Sequence, residues 1–523
     1  MKKTIINSKY ILLLASLISI IACNDIDDVL ADNNVEAAEI LPELTPGSVD
    51  FSNYVALGAS FTSGYTDGAL FIAAQENSFP NILAQQFVNA NGTDFTQPLM
   101  NDNTGGMIIP IPGQDDLPYR LIFNGEAPQR LDEFLMELGA TAPEVTTNVT
   151  NSLAADGSIF KNVGVPGAKS THIDFNGYAA FNPYFGRMAT SSSVSMLEYA
   201  INQNPTFFTL SEIGGNDVLG YATTGGDGSD PLTLTATFDF LFNDMVTQLL
   251  ATGAKGIVTN VPYITDLPHF TTIVYNQLDP NDDDIGPLLV PQIPTLNASL
   301  YGPLDAIFTG YGEPDRINIL STTEANPLLI FDENATDRSA EITGALTSTL
   351  GVEMATAFGF IFGKSRQATS NDLIVLSASS AIASIATDIP SPVNITGISY
   401  PMPDKWVLTP EEQEEIKTAT DAYNSTIETI ANTNDNLALV DLNAILTELA
   451  STGITFGDFT MNANLVTGGA VSLDGIHLTA RGYSYMAYKF LEAIDTTFGS
   501  NFIESGNIPN PGDFPTNYSP TLQ

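Results

Sequence analysis

One short segment of the chain pairs a histidine with a carboxylate at a spacing that suits acid–base chemistry. His477 follows Asp474 by three residues. On a loop or irregular turn, an Asp at this spacing can fold back onto the ring Nδ1, fix the tautomer and leave Nε2 free to act as a base. The other two histidines, His172 and His269, lack a carboxylate at such a simple spacing. His477 is therefore the candidate base, with Asp474 as its partner.

Ser60 is the candidate nucleophile for this base. It follows the short apolar run 53–58, which predicts a buried strand. A serine at the carboxyl end of such a strand lies where α/β folds place their ligands. Its hydroxyl would need a base, because it is a weak nucleophile at its own pKa. The Gly and Ser residues around it also suit an ordinary turn, and the segment lacks the Gly-x-Ser-x-Gly elbow of α/β-hydrolases.

Two glycine-containing segments offer donors for the oxyanion that acyl transfer creates. The first reads Ser-Glu-Ile-Gly-Gly-Asn-Asp over 211–217 and follows a second predicted strand at 206–210, so that Asn216 could reach a cleft. The second reads Asn-Val-Gly-Val-Pro-Gly over 162–167 and could present a backbone N–H. Each segment, taken alone, is also compatible with simple turn chemistry.

Taken in order, these four segments resemble the SGNH, or GDSL, hydrolase family, which is named for its Ser, Gly, Asn and His. The resemblance implies that Ser60 is the nucleophile and that Asp474 and His477 activate it. It also implies an oxyanion site made by the N–H groups of Ser60 and Gly167 and by the Asn216 side chain. The resemblance covers under half of the chain, at about 52–80, 160–175, 205–268 and 420–495.

The sequence departs from the family pattern at three positions. Ala59 and Phe61 replace the Asp and Leu of the usual Gly-Asp-Ser-Leu block, and Leu478 stands where the family often has Pro. The missing Asp is not the triad acid, so the chemistry survives, but the support of the serine loop is expected to differ.

The function implied by the resemblance is that of an ester hydrolase, a GDSL-like lipase or acylhydrolase. It would form an acyl-enzyme intermediate on a small-molecule, lipid or polysaccharide ester and would need no metal or organic cofactor. One alternative is a carbohydrate O-acetyl esterase, although the single Trp406 offers little for stacking on sugars. A second alternative is a non-catalytic surface lipoprotein that keeps the fold for binding.

The elements that must position these residues alternate between strands and helices. Further strands are predicted at 256–261 and 438–442, and helices over 238–250 and 411–431. Thr-Pro-Glu-Glu at 409–412 predicts an N-cap, a first-turn Pro and a capping-box Glu. This alternation predicts an α/β fold around a parallel sheet. The resemblance implies a three-layer sandwich of the SGNH or flavodoxin-like type, with long insertions.

The domain organisation follows from these elements and from changes in composition. A long segment at 266–400 interrupts the alternation, and it contains apolar pieces at 354–362 and 373–386 that are predicted to be helical. The predicted segments are a signal peptide at 1–22, an acidic tether at 23–50, the hydrolase domain at 51–265 and 401–500, an insertion or lid subdomain at 266–400, and a C-terminal tail at 501–523.

The N-terminus has the pattern of a bacterial lipoprotein signal. Three lysines within the first nine residues precede the apolar run 11–21, which ends just before Cys23, the only cysteine. This ending resembles a lipobox and predicts a lipid anchor on Cys23 that holds the protein to the outer membrane of a bacterial cell envelope. The acidic residues after Cys23 resemble surface-export signals. The alternative is an ordinary signal peptide with an incidental cysteine.

The charge balance is strongly acidic, with 17 Lys and Arg against 60 Asp and Glu and a net charge of −43. Such a polyanion will not bind nucleic acid phosphates by general attraction. The excess acid suits solubility outside the cell, with cation binding or salt adaptation as the alternative. The acidic run 279–284 offers oxygen ligands but lacks EF-hand spacing, so a solvated loop without metal is predicted there.

Overall fold

The computed structural model describes residues 41–155 and 157–522. The predicted signal peptide, the candidate lipidation site Cys23 and most of the acidic tether lie outside these residues. The large compact unit comprises Leu44–Ile503 and Asn507–Gln523, and residues 41–43 and 504–506 belong to a second, small unit. Among the described residues, no helix combines the length and the apolar character that a membrane span requires.

A five-stranded, fully parallel sheet forms the centre of the large unit, with the strand order β11-β6-β5-β1-β4. Four two-stranded antiparallel sheets, β2-β3, β7-β8, β9-β10 and β12-β13, lie outside it. The strands are β1 Tyr54–Gly58, β2 Leu121–Phe123, β3 Pro128–Arg130, β4 Asn162–Gly164, β5 Phe207–Ser211, β6 Lys255–Thr259, β7 Leu329–Phe331, β8 Ser365–Gln367, β9 Leu373–Ile374, β10 Val407–Leu408, β11 Leu437–Val440, β12 Ile454–Phe456 and β13 Phe459–Met461.

Helices flank this sheet, and shorter ones occupy the long connections. In chain order the α-helices are α1 Ser60–Ser63, α2 Ile72–Glu76, α3 Phe79–Phe87, α4 Leu131–Glu137, α5 Ser170–Ile173, α6 Pro183–Met188, α7 Met196–Ile201, α8 Gly215–Thr223, α9 Thr235–Leu250, α10 Pro268–Thr271, α11 Gly286–Leu289, α12 Ile293–Leu296, α13 Gly302–Gly310, α14 Ser339–Leu350, α15 Val352–Phe362, α16 Pro410–Asn432, α17 Leu442–Ser451 and α18 Ala480–Phe498.

The central strands are buried on both faces, which explains why they are continuously apolar. Successive side chains of a strand point to opposite faces. In β1, Val55 and Leu57 belong to a hydrophobic cluster shared with α9 and α16. Tyr54 and Ala56 belong to another cluster, which is shared with α3 and α18. The prediction of an α/β fold around a central parallel sheet is confirmed.

Most predicted elements match the structure closely, and two do not. The strand β4 was expected to be a glycine turn, yet Asn162 and Gly164 pair with Ala56 and Gly58 of β1. The apolar piece at 373–386 is not an α-helix. It begins with β9, which pairs with β10, and continues as a short 3-10 helix at Leu376–Ser380. Short apolar runs do not distinguish strand from helix, and here the pairing partner decides.

The predicted insertion at 266–400 contributes no strand to the central sheet. It contains the helical hairpin of α14 and α15 and the small sheet of β7 and β8. The chain then returns through α16, whose N-terminus shows the predicted capping box between Thr409 and Glu412. The last long helix, α18, begins after Thr479, whose hydroxyl accepts the backbone N–H of Gly482 at 3.0 Å.

Candidate active site

The strand order brings three of the predicted site residues to one end of the sheet. Gly58, at the end of β1, is in register with Gly164 of β4 and with Ser211 of β5. Ser60, Gly167 and Asn216 each follow one of these three strand ends within a few residues. Because the strands are parallel, their carboxyl ends meet at a single edge, where open α/β sheets bind ligands.

Asp474 and His477 form the predicted pair. The ring Nδ1 of His477 lies 2.8 Å from Asp474 Oδ2. The other carboxylate oxygen accepts the backbone N–H groups of Ile476 at 2.9 Å and His477 at 2.8 Å. Burial would raise the pKa of Asp474, but the charge and hydrogen bonds of His477 outweigh it and hold this pKa well below its usual range. The carboxylate therefore stays ionised, as the orienting acid of a triad must.

The segment that carries Ser60 also holds the acid of the pair. The backbone N–H of Gly68 donates to Asp474 Oδ2 at 2.8 Å. The Tyr65 hydroxyl donates to the Gly68 carbonyl at 2.6 Å, and the Tyr65 ring lies 4.6 Å from the His477 ring, centroid to centroid. The loop after β1 and the loop before α18 are thus joined by direct contacts.

Ser60 begins α1 and is 7% exposed. The ring of the next residue, Phe61, lies 5.8 Å from the ring of His477. Among the described residues, however, no hydrogen bond joins Ser60 Oγ to the His477 ring. Hydrogen bonds between a nucleophile and its base are often long before substrate binds, and they shorten in the complex. The structure thus brings Ser60 and His477 to one site without closing the contact between them.

Each of the three predicted oxyanion donors has an N–H that is available to bind an oxyanion. In the described part of the chain, the backbone N–H groups of Ser60 and Gly167 donate no hydrogen bond. Gly167 has φ +78°, in the left-handed region that favours glycine. The Asn216 amide donates to the Ala168 carbonyl at 2.9 Å, which leaves its second hydrogen available.

Glu212 is a site residue that the sequence did not reveal. Its side chain is buried and accepts three backbone N–H groups from the nucleophile loop. Oε1 accepts those of Ala59 at 2.7 Å and Thr62 at 2.8 Å, and Oε2 accepts that of Phe61 at 2.8 Å. Of the four consecutive residues 59–62, only Ser60 has a backbone N–H that donates no hydrogen bond in the described part of the chain. Burial raises the pKa of Glu212 to about 7, although these hydrogen bonds oppose the rise.

An apolar cavity lies against Ser60 and Asn216. One face of α17 forms part of its wall through residues at helical spacing. The hairpin of β12 and β13 and the residues beside His477 also line it. The apolar lining residues from these elements are Leu442, Ile445, Leu446, Leu449, Ile454, Met461, Ile476 and Leu478. A cavity with this apolar lining suits a hydrophobic ligand group.

The two other histidines take different positions. His172 accepts the Lys169 backbone N–H at 3.1 Å through Nδ1 and stacks on Tyr178. His269 lies beside the acid of the pair, with its Nδ1 3.4 Å from the backbone carbonyl oxygen of Asp474. Burial lowers the pKa of both rings. Neither ring contacts a carboxylate in the way that His477 does.

The acidic run 279–284 is exposed over residues 281–284. The Asp282 carboxylate is engaged by its own turn, where it accepts the backbone N–H groups of Asp284 and Ile285 at 2.9 and 2.8 Å. These contacts describe an ordinary Asx turn.

Comparisons with protein-family models, with curated proteins and with solved structures find no match for this chain. An assignment of function must therefore depend on the geometry of its own residues.

Proposed function

We propose that this protein is a serine hydrolase that cleaves carboxylic esters, on a three-layer fold of the SGNH type. The observation that carries the proposal is an ionised Asp474–His477 pair that is hydrogen-bonded to the segment carrying Ser60, beside an apolar cavity lined by Ser60. A protein that only binds its ligand has no need for an oriented histidine and spare oxyanion donors at one point. The geometry therefore favours turnover over the binding alternative.

The proposed reaction proceeds in two acyl-transfer steps. His477 Nε2 takes the proton of Ser60 as Oγ attacks the ester carbonyl, and Asp474 stabilises the imidazolium. The N–H groups of Ser60 and Gly167 and the Asn216 amide hold the oxyanion. The alcohol leaves with the proton from His477, and the acyl group stays on Ser60. Water, deprotonated by His477, then releases the acid and restores the hydroxyl.

The cavity favours esters of apolar acyl chains as substrates. Leu, Ile and Met side chains supply most of its lining, and Ser60 and Asn216 also line it. An acyl chain attached to the Ser60 oxygen could therefore extend into it and leave water. An acetyl group would contact few of these apolar side chains, so the structure offers less support for the carbohydrate O-acetyl esterase.

A fluorophosphonate probe tests the nucleophile directly. The purified protein is expected to be labelled, and Ser60→Ala is expected to abolish both labelling and ester hydrolysis. Ser191→Ala, at an exposed serine, is the control and should keep both. Labelling that persists in Ser60→Ala would place the nucleophile elsewhere.

A substrate panel separates the two ester classes. Esters of rising acyl length should show increasing kcat/KM, whereas an acetylated polysaccharide should be a poor substrate. A preference for the acetylated polysaccharide would select the carbohydrate esterase instead.

We also propose that the protein is lipid-anchored in the bacterial outer membrane through Cys23, with no nucleic acid partner. The support is the signal-like N-terminus with its single cysteine. Cys23→Ser should move the protein from the membrane fraction to the soluble fraction. Retention of the variant in the membrane fraction would reveal a different anchor.

A further inference from the structure

Three carboxylates from separate parts of the chain converge away from the candidate active site. Glu333 follows β7, Asp404 begins a 3-10 helix at Asp404–Trp406, and Glu412 lies in the first turn of α16. One oxygen from each residue lies within 4.8 Å of the corresponding oxygens of the other two.

These carboxylates have oxygens that are buried and unpaired. In the described part of the chain, Glu333 Oε2, Asp404 Oδ1 and Glu412 Oε1 are shielded from solvent and accept no hydrogen bond. Glu412 is only 2% exposed. Its Oε2 accepts the backbone N–H and the hydroxyl of Thr409, at 2.6 and 2.9 Å, which leaves Oε1 to the cluster. A buried oxygen without a partner is costly, so it requires a physical reason.

The described Lys and Arg side chains do not neutralise this cluster through direct ion pairs. No Lys or Arg among the described residues forms an ion pair with any of the three carboxylates. Lys364 donates to the backbone carbonyl of Glu333 at 2.6 Å, and Arg366 is engaged by Asp332 and Asp372. The negative charge is therefore left for another species to balance.

We propose that Glu333, Asp404 and Glu412 bind a divalent cation, with Ca²⁺ as the best fit. Ca²⁺ takes oxygen ligands at about 2.3–2.6 Å, so two ligands on opposite sides of the ion lie up to about 4.6–5.2 Å apart. The mutual 4.8 Å limit in the cluster is compatible with all three oxygens contacting one ion. The three hard carboxylate ligands favour Ca²⁺ or Mg²⁺ over transition metals, which bind more readily to imidazole and thiolate groups.

The three ligands come from different parts of the chain, so the ion has a structural role. Glu333 belongs to the predicted insertion, whereas Asp404 and Glu412 belong to the segment that returns to the sheet. The loop after α8 also packs here, since a Cβ at Gly226 would lie 2.4 Å from Glu412 Oε1. α8 carries Asn216 in its first turn. The ion therefore joins the insertion to α16 beside the loop that ends α8, and this structural role is independent of whether the protein hydrolyses esters.

Calorimetric titration of the chelator-treated, full-length protein with Ca²⁺ tests the proposal, with Mg²⁺ in a parallel titration. The wild type should bind one equivalent. Glu412→Gln and Asp404→Asn should each lower the affinity at least about tenfold, because each removes a charged ligand. Asp283→Asn, in the exposed acidic run, removes the same charge elsewhere and should leave binding unchanged. The absence of saturable binding of either ion to the wild type would overturn the proposal.

Thermal unfolding separates a cation site from carboxylates that merely share a proton. Glu412→Gln keeps an oxygen for the capping box and removes one charge from the cluster. Without Ca²⁺ at pH 8 the variant should unfold at a higher temperature than the wild type, because it relieves repulsion. With saturating Ca²⁺ the order should reverse. A variant that is more stable under both conditions would favour the shared proton and refute the cation site, and Glu333→Gln provides a second test.

Discussion

The carboxylate of Glu212 accepts the backbone N–H of Ala59, with 2.7 Å between Oε1 and N. Ala59 stands where the resembled family has an Asp, and here the serine loop is supported by the residue that directly follows strand β5. Glu212 itself has φ +59°, a conformation that is unfavourable for a residue with a long side chain. Such a conformation persists only where surrounding contacts enforce it. The contact leaves the N–H of Ser60 as the free donor of the loop.

Glu212→Gln should lower both turnover and stability. A carboxylate accepts hydrogen bonds at both oxygens, whereas an amide would direct its NH₂ group at a backbone N–H of the nucleophile loop. A buried donor without an acceptor costs about 1–3 kcal/mol, and the displaced loop should lower kcat more than it raises KM. Ester kinetics and denaturant unfolding measure the two effects. Glu198→Gln, at an exposed capping-box acid, should change neither greatly, and a Glu212→Gln variant with wild-type kcat would refute the positioning role.

The same residue predicts how stability depends on pH. Burial raises the pKa of Glu212 from 4.5 to about 7, so the folded state binds its proton more tightly than the unfolded state. The stability from this group is therefore fully present below about pH 4.5 and is lost as the pH rises through 7. At about 1.4 kcal/mol per pKa unit, the loss is about 3 kcal/mol.

Free energies of unfolding at pH 5 and pH 8 would measure this loss. Asp67, whose pKa burial also raises to about 7, titrates in the same range in both proteins. The change in the free energy of unfolding between pH 5 and pH 8 should therefore differ between wild type and Glu212→Gln only by the contribution of Glu212. Parallel pH dependences in the two proteins would contradict the assignment.

The sequence predicts contacts that are local in the chain and misses those that depend on strand order. The Asp474–His477 contact spans three residues, and the capping box at Thr409 and Glu412 is equally local. Spacing alone is enough to propose both. The contact of Glu212 with Ala59 spans 153 positions. It exists because β5 lies next to β1, and no pattern within either segment indicates that adjacency.

The cavity illustrates the same limit at the level of packing. The spacing of Leu442, Leu446 and Leu449 gives α17 an apolar face, which by itself predicts only that the face is buried. That this face lines a space beside Ser60 depends on how α17 and the hairpin of β12 and β13 pack. Likewise, β4 contains only three residues, and its pairing with β1 identifies it as a strand.

Asn216→Ala should lower turnover by about 10²–10³, because it removes one donor to the oxyanion. The nucleophile and its base remain, so fluorophosphonate labelling of Ser60 should stay detectable. Steady-state kinetics and labelling rates on the same preparation test both statements. Asn202→Ala, at the exposed end of α7, is the matched control. Unchanged turnover in Asn216→Ala would exclude its side chain from the oxyanion site.

His477→Ala should be the more severe of the two pair variants. Loss of the base should lower kcat by about 10⁶, whereas Asp474→Asn should lower it by about 10⁴, since the acid orients the ring and stabilises its charge. His172→Ala should retain most activity, because that ring is held by Lys169 and Tyr178. Full activity in His477→Ala would rule out the proposed mechanism.

Filling the cavity should change which esters the protein prefers. Leu446 is almost fully buried and lines the cavity from α17, so Leu446→Trp would occupy space that a long acyl chain needs. In the wild type, each added methylene should raise kcat/KM about fourfold until the cavity is filled, which corresponds to about 0.8 kcal/mol per buried CH₂. In the variant, the rise should stop at a shorter chain, while the shortest esters are cleaved nearly as before.

Leu288→Trp adds the same bulk at a position that is 72% exposed and should leave the dependence on acyl length unchanged. Thermal unfolding of both variants checks that they fold, because overpacking alone can cost about 1–3 kcal/mol. If folded Leu446→Trp keeps the wild-type dependence on acyl length, the acyl chain does not bind in this cavity.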